Sequence, residues 1–553
     1  PMPIEDLWYK NAIVYNLDLE TFMDSDGDGV GDFEGLVRRL DYLEALGIDT
    51  LWLAPFQPSP NRDNGYDISD YYGVDPRHGS GGDFVEFMHQ AKKRGLKVLI
   101  DLVVNHTSDQ HRWFQAARKD PGSRYRDWYV WSETRPPDAD EGMVFPGVQH
   151  TTWTRDEAAQ AYYFHRFYHF MPDLNLQNPE VRTEVRRIMG FWLELGVAGF
   201  RVDAVPFVLE TPAPGAPEPA LQFGYLYDMR RFLQWRAGDA ILLGEANVLP
   251  RESKRYFGAA GEGMQMMFNF WVNQHLFYAL ATAEVGPLLD ALRATRRLPP
   301  TAQWGQFLRN HDELDLGRLT AEQRQAVFAR FGPEEHMQLY GRGLRRRLAP
   351  MLGDRRHLEL AYSLMFSLPG TPVLRYGDEI GMGEALALPE RAAVRTPMQW
   401  SDEPNAGFST AEKTVHPAIA EGVYGYANLN VAKQQRDPAS LLNWMARLIR
   451  LRKECPEIGW GAWEVLQTGD PRVLALAYTW RGTAVVVVHN FDERPCEVRL
   501  RAEVPGGERL LDLLTEDESR ADASGRHRLL LDAYGYRWLR AGGLNYALQR
   551  SRA

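Results

Sequence analysis

The 553-residue chain holds only two cysteines, Cys455 and Cys496. Two are too few for a disulfide framework, and their spacing is not that of a cysteine metal site. No stretch approaches the ~18 apolar residues that a membrane span needs. Residues 1–10 lack a basic-then-apolar leader. The expectation is a soluble, cytoplasmic protein with no membrane partner. Positive charge is also short: 63 Lys and Arg stand against 74 Asp and Glu, a net charge of −11. That balance argues against nucleic acid, whose phosphates call for a basic footprint. A phosphate-cradling Gly-x-x-x-x-Gly-Lys, a Gly-x-Ser-x-Gly elbow and a His-Glu-x-x-His pair are all missing. So are internal repeats and low-complexity tracts.

What is present is ordinary globular composition, 44% hydrophobic, with 12% aromatics including 16 Trp and 24 Tyr. Apolar β-branched runs alternate with helical patterns over four-fifths of the chain. Strands are expected at 12–19, 50–56, 97–104, 199–205, 240–247, 264–270, 303–309 and 371–376. Between them, Leu36, Leu40, Leu43 and Leu46 form one helical face ended by Gly47. Phe84, Phe87, Met88 and Ala91 form another, ended by Gly95. Asn178 as N-cap and Pro179 at the first helical position start a third, with Val181, Val185, Ile188 and Trp192 inward and Gly196 as its stop. Eight strand–helix alternations favour an α/β fold, a parallel (β/α)8 TIM barrel spanning 1–106 and 174–463. An inserted domain without helical period is expected at 107–173, and a charge-rich helical insertion at 313–356. From 464 to 553 short alternating strands predict a C-terminal antiparallel β-sandwich domain.

In a parallel barrel, polar residues at the C-terminal strand ends share one mouth. Strand three ends in DLVVNH (Asp101, Asn105, His106) and strand four in GFRVDAV (Arg201, Asp203). Strand five ends in LLGEAN (Glu245, Asn247) and strand seven in FLRNHDE (Asn310, His311, Asp312, Glu313). Charges inside apolar strands are costly unless paired, so four converging ends point to chemistry. Three carboxylates among aromatics suit glycosidic cleavage, which needs one ionised and one protonated carboxyl across the anomeric carbon. Arg201 lies two residues before Asp203, on the same strand face, where its cation should keep Asp203 ionised. Glu245 follows an apolar run whose desolvation would keep it protonated.

These four strand-end motifs, in this order, resemble the conserved regions of the α-amylase family of glycoside hydrolases and transglycosylases. Further segments are NGYDISDYY (64–72), VNHTSDQH (104–111), AYYFHRFY (161–168), QFLRNHDEL (306–314) and VRTPMQW (394–400). With them the chain is most similar to the family's trehalose synthases, the maltose–trehalose isomerases. The resemblance implies Asp203 as nucleophile, Glu245 as general acid/base and Asp312 as transition-state stabiliser, with the carboxyls of Asp203 and Glu245 roughly 5–5.5 Å apart. It places His106, His311, Asp67 and Arg395 around the first sugar, with Asp67 and Arg395 as the pair closing that subsite. Tyr66 would stack on the same sugar, and Asn247 and Glu313 would lie near the second. It implies maltose, trehalose and glucose as partners and no organic cofactor. An exo-acting α-glucosidase or glucosyl-transferring enzyme, and a non-catalytic binding module, are the alternatives. A homodimer through the C-terminal domain stays open.

Two calcium sites are expected. Asp24, Asp26, Asp28 and Asp32 in DSDGDGVGD alternate oxygen ligands with glycines, as a hard cation prefers, with the Val30 carbonyl added. A second would use Asn105, Asp173 and Glu210 with the backbone oxygens of Phe207 and Val208. Magnesium would be accepted at one of them without a change of motif. The chain departs from the trehalose synthase pattern at PERAA (389–393), where an acidic, glycine-containing segment is usual, and at RYG (375–377) in strand eight.

Overall fold

A computed structural model describes residues 5–542 apart from 211, 213 and 215–219. Positions 1–4 and 543–553, the outer ends of the expected barrel and C-terminal domain, lie outside the described residues. Eight parallel strands close into a barrel in which each pairs with its sequence neighbours and the eighth pairs with the first. They are Val14–Leu17, Thr50–Leu53, Lys97–Leu102, Gly199–Val202, Ile241–Gly244, Met266–Phe268, Gln303–Phe307 and Thr371–Arg375. Every expected strand centre is present, and each strand is shorter than its apolar run. The trailing residues of each run leave the ladder to build the mouth. Gly199 opens strand four because a Cβ there would meet the Ile241 carbonyl at 2.1 Å.

The helices follow the periodicity. Phe33–Leu46 buries Leu36, Leu40, Leu43 and Leu46 and ends at Gly47, whose φ of +100° is the left-handed conformation that suits glycine. Pro179–Glu194 is capped by Asn178, whose side chain accepts the Glu180 N–H, and turns Val181, Val185, Ile188 and Trp192 inward.

The insertions differ from expectation. Within 107–173, Arg112–Lys119 is a helix capped by the His111 ring, burying Trp113, Phe114 and Ala117. Its single short turnover of apolar residues escapes a periodicity reading. Trp131–Ser132, Trp153–Asp156 and Ala161–Phe164 form a small antiparallel sheet beside it. The 313–356 segment is only partly helical. Ala321–Phe331 and Leu348–Leu352 are helices, but Leu314–Asp315, Gln338–Leu339 and Gly343–Leu344 pair as a three-stranded sheet. Two-residue strands carry no legible alternation.

The C-terminal domain has a six-stranded and a two-stranded antiparallel sheet, and its first strand, Ala462–Val465, begins ahead of the expected 464 boundary. Val485 and Val487 face the main core while Val486 and Val488 face a separate apolar cluster, as period-two alternation requires. Ser363, on barrel helix Arg355–Ser367, bonds His489 at 2.8 Å and accepts the Trp538 indole N–H at 2.9 Å. These buried bonds fix the domain against the barrel. Among the described residues no helix is long and apolar enough to cross a membrane.

Candidate active site

The C-terminal strand ends surround a cavity of about 660 Å³. Two of its lining residues, Asp203 and Glu245, share Arg201, which is 1% exposed on strand four. One guanidinium reaches Asp101 at 2.7 Å, Asp203 at 2.5 Å and Glu245 at 2.8 Å. Asp101 is further fixed by the Trp52 indole N–H at 2.8 Å. After Asp203 the backbone turns sharply: Ala204 has φ +49°, and its N–H donates to Glu245 Oε2 at 3.1 Å. This turn brings the ends of strands four and five together.

One cation for three carboxyls leaves a proton in the cluster. Burial raises Glu245 to about 8, against Arg201, with the charges of Asp203 and Asp312 adding to the rise. A side-chain hydrogen bond joins Glu245 to Asp203, raising the former and lowering the latter, so the Glu245 carboxyl donates and Asp203 accepts. Asp203 is not held at an ordinary carboxylate value by Arg201: burial raises it by more than the guanidinium lowers it.

Asp312 is the opposite case. Its Oδ1 accepts from Arg391 at 2.8 Å and Arg395 at 3.0 Å, and its N–H is fixed by Asn310 Oδ1 at 2.9 Å. Burial pulls its pKa up, but His311, Arg391, Arg395 and Arg201 outweigh it and hold it well below the carboxylate range. His311 is itself lowered to about 3 by burial. It is neutral at pH 7, so the three guanidiniums do the holding there. Neutral His311 bonds the Tyr66 hydroxyl at 2.8 Å and its ring stacks on Tyr66, centroids 5.4 Å apart. His106 lies beside them, its Nε2 at 3.1 Å from the Tyr66 carbonyl and its pKa lowered to about 4 by burial.

Not every expected residue meets the cavity. Asp203, Glu245, Asp312, Tyr66, His106, His311, Asn247 and Glu313 line it. Asp67 and Arg395 do not form the expected pair. The Asp67 carboxylate turns back to accept from Ser59 Oγ and the N–H groups of Arg62 and Asp63, pinning its own loop. Arg395 instead holds Asp312 and the His311 carbonyl. Asp63 instead pairs with Arg391 at 2.9 Å, and both line the cavity, a pair that sequence reasoning missed. Its one signal was Arg391, within the departing segment four residues ahead of Arg395. Asn247 is tied down, donating to Asp315 at 3.1 Å and accepting from Gln274 at 3.3 Å. Glu313 Oε1 pairs with Arg342 at 3.0 Å, while its Oε2 is buried without a partner.

The two metal loops differ. Asp24, Asp26 and Asp28 bring carboxylate oxygens within 4.8 Å of one another. No basic residue pairs with them among the described residues, so this donor set fits a hard cation. Asp32 is engaged elsewhere: it caps helix Phe33–Leu46 by accepting from Gly35 N–H, and it accepts from Ser25 N–H and Oγ. The Val30 N–H donates to Asp28 Oδ1. At the second locus the residues do not fit an ion. Arg166 pairs with Glu210 at 2.8 Å, its N–H donates to Asp173 at 2.8 Å, and Asn105 donates to Asp173 at 3.3 Å. The Phe207 carbonyl accepts the Glu210 N–H, and Val208 closes the helical turn Val205–Val208. A guanidinium already supplies positive charge between the inserted domain and the barrel.

Residues 19–331 and 344–461 match the family model described as alpha amylase, catalytic domain. The chain belongs to the α-amylase family. Residues 482–540 match the sucrose hydrolase-like C-terminal domain. Among relatives of this α-amylase family chain, the trehalose synthase of Thermus thermophilus is 42% identical over 96% of the chain, which spans only 55% of that protein's length. The trehalose synthase of Pimelobacter sp. (strain R48) is 39% identical over 97% of this chain and 96% of its own. The crystal structure of the trehalulose synthase MutB from Pseudomonas mesoacidophila MX-45 superposes with a TM-score of 0.76 at 27% identity, covering 96% of this chain and 99% of that one.

Proposed function

We propose that this α-amylase family enzyme is a trehalose synthase, isomerising maltose to trehalose within one closed pocket. The observation that carries the reading is one buried guanidinium, Arg201, shared by Asp203 at 2.5 Å and Glu245 at 2.8 Å at the cavity, with Glu245 raised to about 8 by burial, in a chain similar to trehalose synthases over nearly its whole length. Asp203 attacks the anomeric carbon of the non-reducing glucose as Glu245 gives its proton to the departing 4-oxygen. The C1–O bond to the second glucose breaks and a β-glucosyl–Asp203 ester forms. Asp312, kept ionised, stabilises the positive charge that builds on the ring. The freed glucose turns over in the pocket and presents its own anomeric hydroxyl. Glu245, now a carboxylate, takes that proton, the new oxygen attacks C1, and Asp203 leaves, giving an α,α-1,1 bond. Two inversions retain the anomeric configuration.

The pathway needs water kept out while the ester lasts. Phe145 and Phe167 of the inserted domain and Arg342 of the 313–356 segment line the pocket and support that reading. Asp24, Asp26 and Asp28, with the Val30 carbonyl, would hold a calcium or magnesium ion. That ion would neutralise the loop and take no part in the chemistry. The low cysteine content suits a cytoplasmic location. Incubating the purified chain with maltose and resolving the products tests the proposal. Trehalose with little glucose is expected; glucose alone would make it a hydrolase, and no turnover of any α-glucoside would remove the enzyme altogether.

A further inference from the structure

Glu390 and Arg391 are neighbours that reach in opposite directions. Glu390 Oε1 accepts hydrogen bonds from Tyr168 and Tyr340, each at 2.7 Å. Tyr168 belongs to the inserted domain. Tyr340 sits in the turn between Gln338–Leu339 and Gly343–Leu344. Phe145 packs on both rings, 4.6 Å from Tyr168 and 4.9 Å from Tyr340. The Arg391 guanidinium lies over the same Phe145 ring at 4.7 Å, and its two arms grip Asp312 and Asp63. Phe145 and Arg391 both line the sugar cavity.

The loop that carries this pair is held in an unfavourable shape. Glu390 has φ +44°, a left-handed conformation for a residue with a Cβ. Arg345 braces it by donating to the carbonyls of Leu386, Leu388 and Glu390. Asp312 already has Arg395 on the same oxygen, so charge neutralisation alone does not account for Arg391. Its second arm on Asp63 and its seat on Phe145 do: they fix Asp312 relative to the pieces that roof the cavity. Burial raises both phenols, which stay protonated donors to Glu390.

We infer that Arg391 is a positioning residue for Asp312, and that Glu390 couples this positioning to closure of the pocket by Tyr168 and Tyr340. Closure and correct placement of Asp312 are then one event, because adjacent residues of one braced loop perform both. Releasing the tyrosines loosens Phe145, which lines the cavity, and lets the leaving glucose exchange with water. The inference rests on the maltose–trehalose reading for its product ratio alone.

The test uses Tyr168→Phe/Tyr340→Phe, which removes two hydroxyls, together with Arg391→Ala and Arg391→Lys. In the double variant the glucose-to-trehalose ratio from maltose should rise about three- to tenfold, the scale of one net hydrogen bond. Hydrogen exchange should quicken in residues 143–149 and 338–344. Arg391→Ala should lower kcat about tenfold or more with little change in KM, and the lysine variant should recover only part, having one arm in place of two. An unchanged ratio with unchanged exchange in the double variant overturns the coupling. An unchanged kcat in Arg391→Ala overturns the positioning role. If the unaltered enzyme makes no trehalose, the maltose reading fails instead. Exchange, and kcat on an aryl α-glucoside, then still decide for or against the coupling.

Discussion

Two arginine–carboxylate clusters border the cavity and differ in how many guanidiniums each carboxylate meets. On the strand-four side, Arg201 alone serves Asp101, Asp203 and Glu245. Burial raises Asp101 to about 6 and Glu245 to about 8, so Glu245 is the one that keeps its proton at pH 7. On the strand-seven side, Asp312 receives both Arg391 and Arg395, and Arg391 also holds Asp63. Two guanidiniums meet the same Asp312 oxygen, and this carboxylate stays ionised. Residue type is the same in both clusters. The ratio of cations to carboxylates at one buried point decides which group is an acid and which a permanent anion.

The largest effect expected is from Asp203→Asn, which keeps shape and removes the nucleophile. Turnover should fall by at least about 10³-fold with the fold intact. Retention of even about a tenth of the rate would reassign the roles of the strand-four cluster. Next, Arg201→Gln removes the guanidinium shared by Asp101, Asp203 and Glu245 and should cost about 3–5 kcal/mol at pH 7. Without the guanidinium these carboxyls titrate higher, so the loss should shrink at pH 5, where they are protonated. Denaturant unfolding at the two pH values measures this, and equal losses would break the contrast.

The pH profile sharpens the comparison. Glu245 acts protonated, and its raised pKa puts the loss of that proton near pH 8. Above that point kcat/KM for maltose should fall about tenfold per unit, whereas Asp312 contributes no acidic limb because it is ionised throughout. A profile flat to strongly alkaline pH would remove Glu245 as the acid. A smaller change is expected from Asn247→Ala. Its side chain lines the cavity, is tied to Asp315 and Gln274, and on the proposed reading lies near the second sugar. Losing bonds worth roughly 0.5–1.5 kcal/mol each should shift products toward glucose by a few-fold to about tenfold. An unchanged product ratio would release Asn247 from any hold on the second sugar. The mildest effect is chelation. Removing an ion from Asp24, Asp26 and Asp28 should lower the melting temperature by mass action, and Asp24→Asn should abolish that dependence. A melt indifferent to chelator would dismiss the ion.

Much of the site was legible because the signals are local. Arg201 and Asp203 share a strand face by period-two geometry, and Glu245 and Asp312 each follow an apolar strand. Asn178–Pro179 and Gly47 mark helix ends by backbone chemistry alone. The same logic failed where partners come from afar. Asp63 meets Arg391 across 328 residues and Asp312 meets it across 79. Asp67, in a motif that pointed it at the sugar, spends its carboxylate on backbone N–H groups within five residues and on Ser59. Glu210, expected on a metal, finds Arg166 instead.

By itself the sequence determined the eight-stranded barrel, the order of its elements and the four strand ends that carry the carboxyls. Hydrophobic period, caps and glycines act within a few residues and survive in any window of the chain. Tertiary structure alone decided how many cations each buried carboxyl receives, and so which one keeps a proton. It also decided that Glu390 accepts from two tyrosines of separate insertions. Those outcomes depend on desolvation and on ångström-scale distances between segments hundreds of residues apart, which no local pattern encodes.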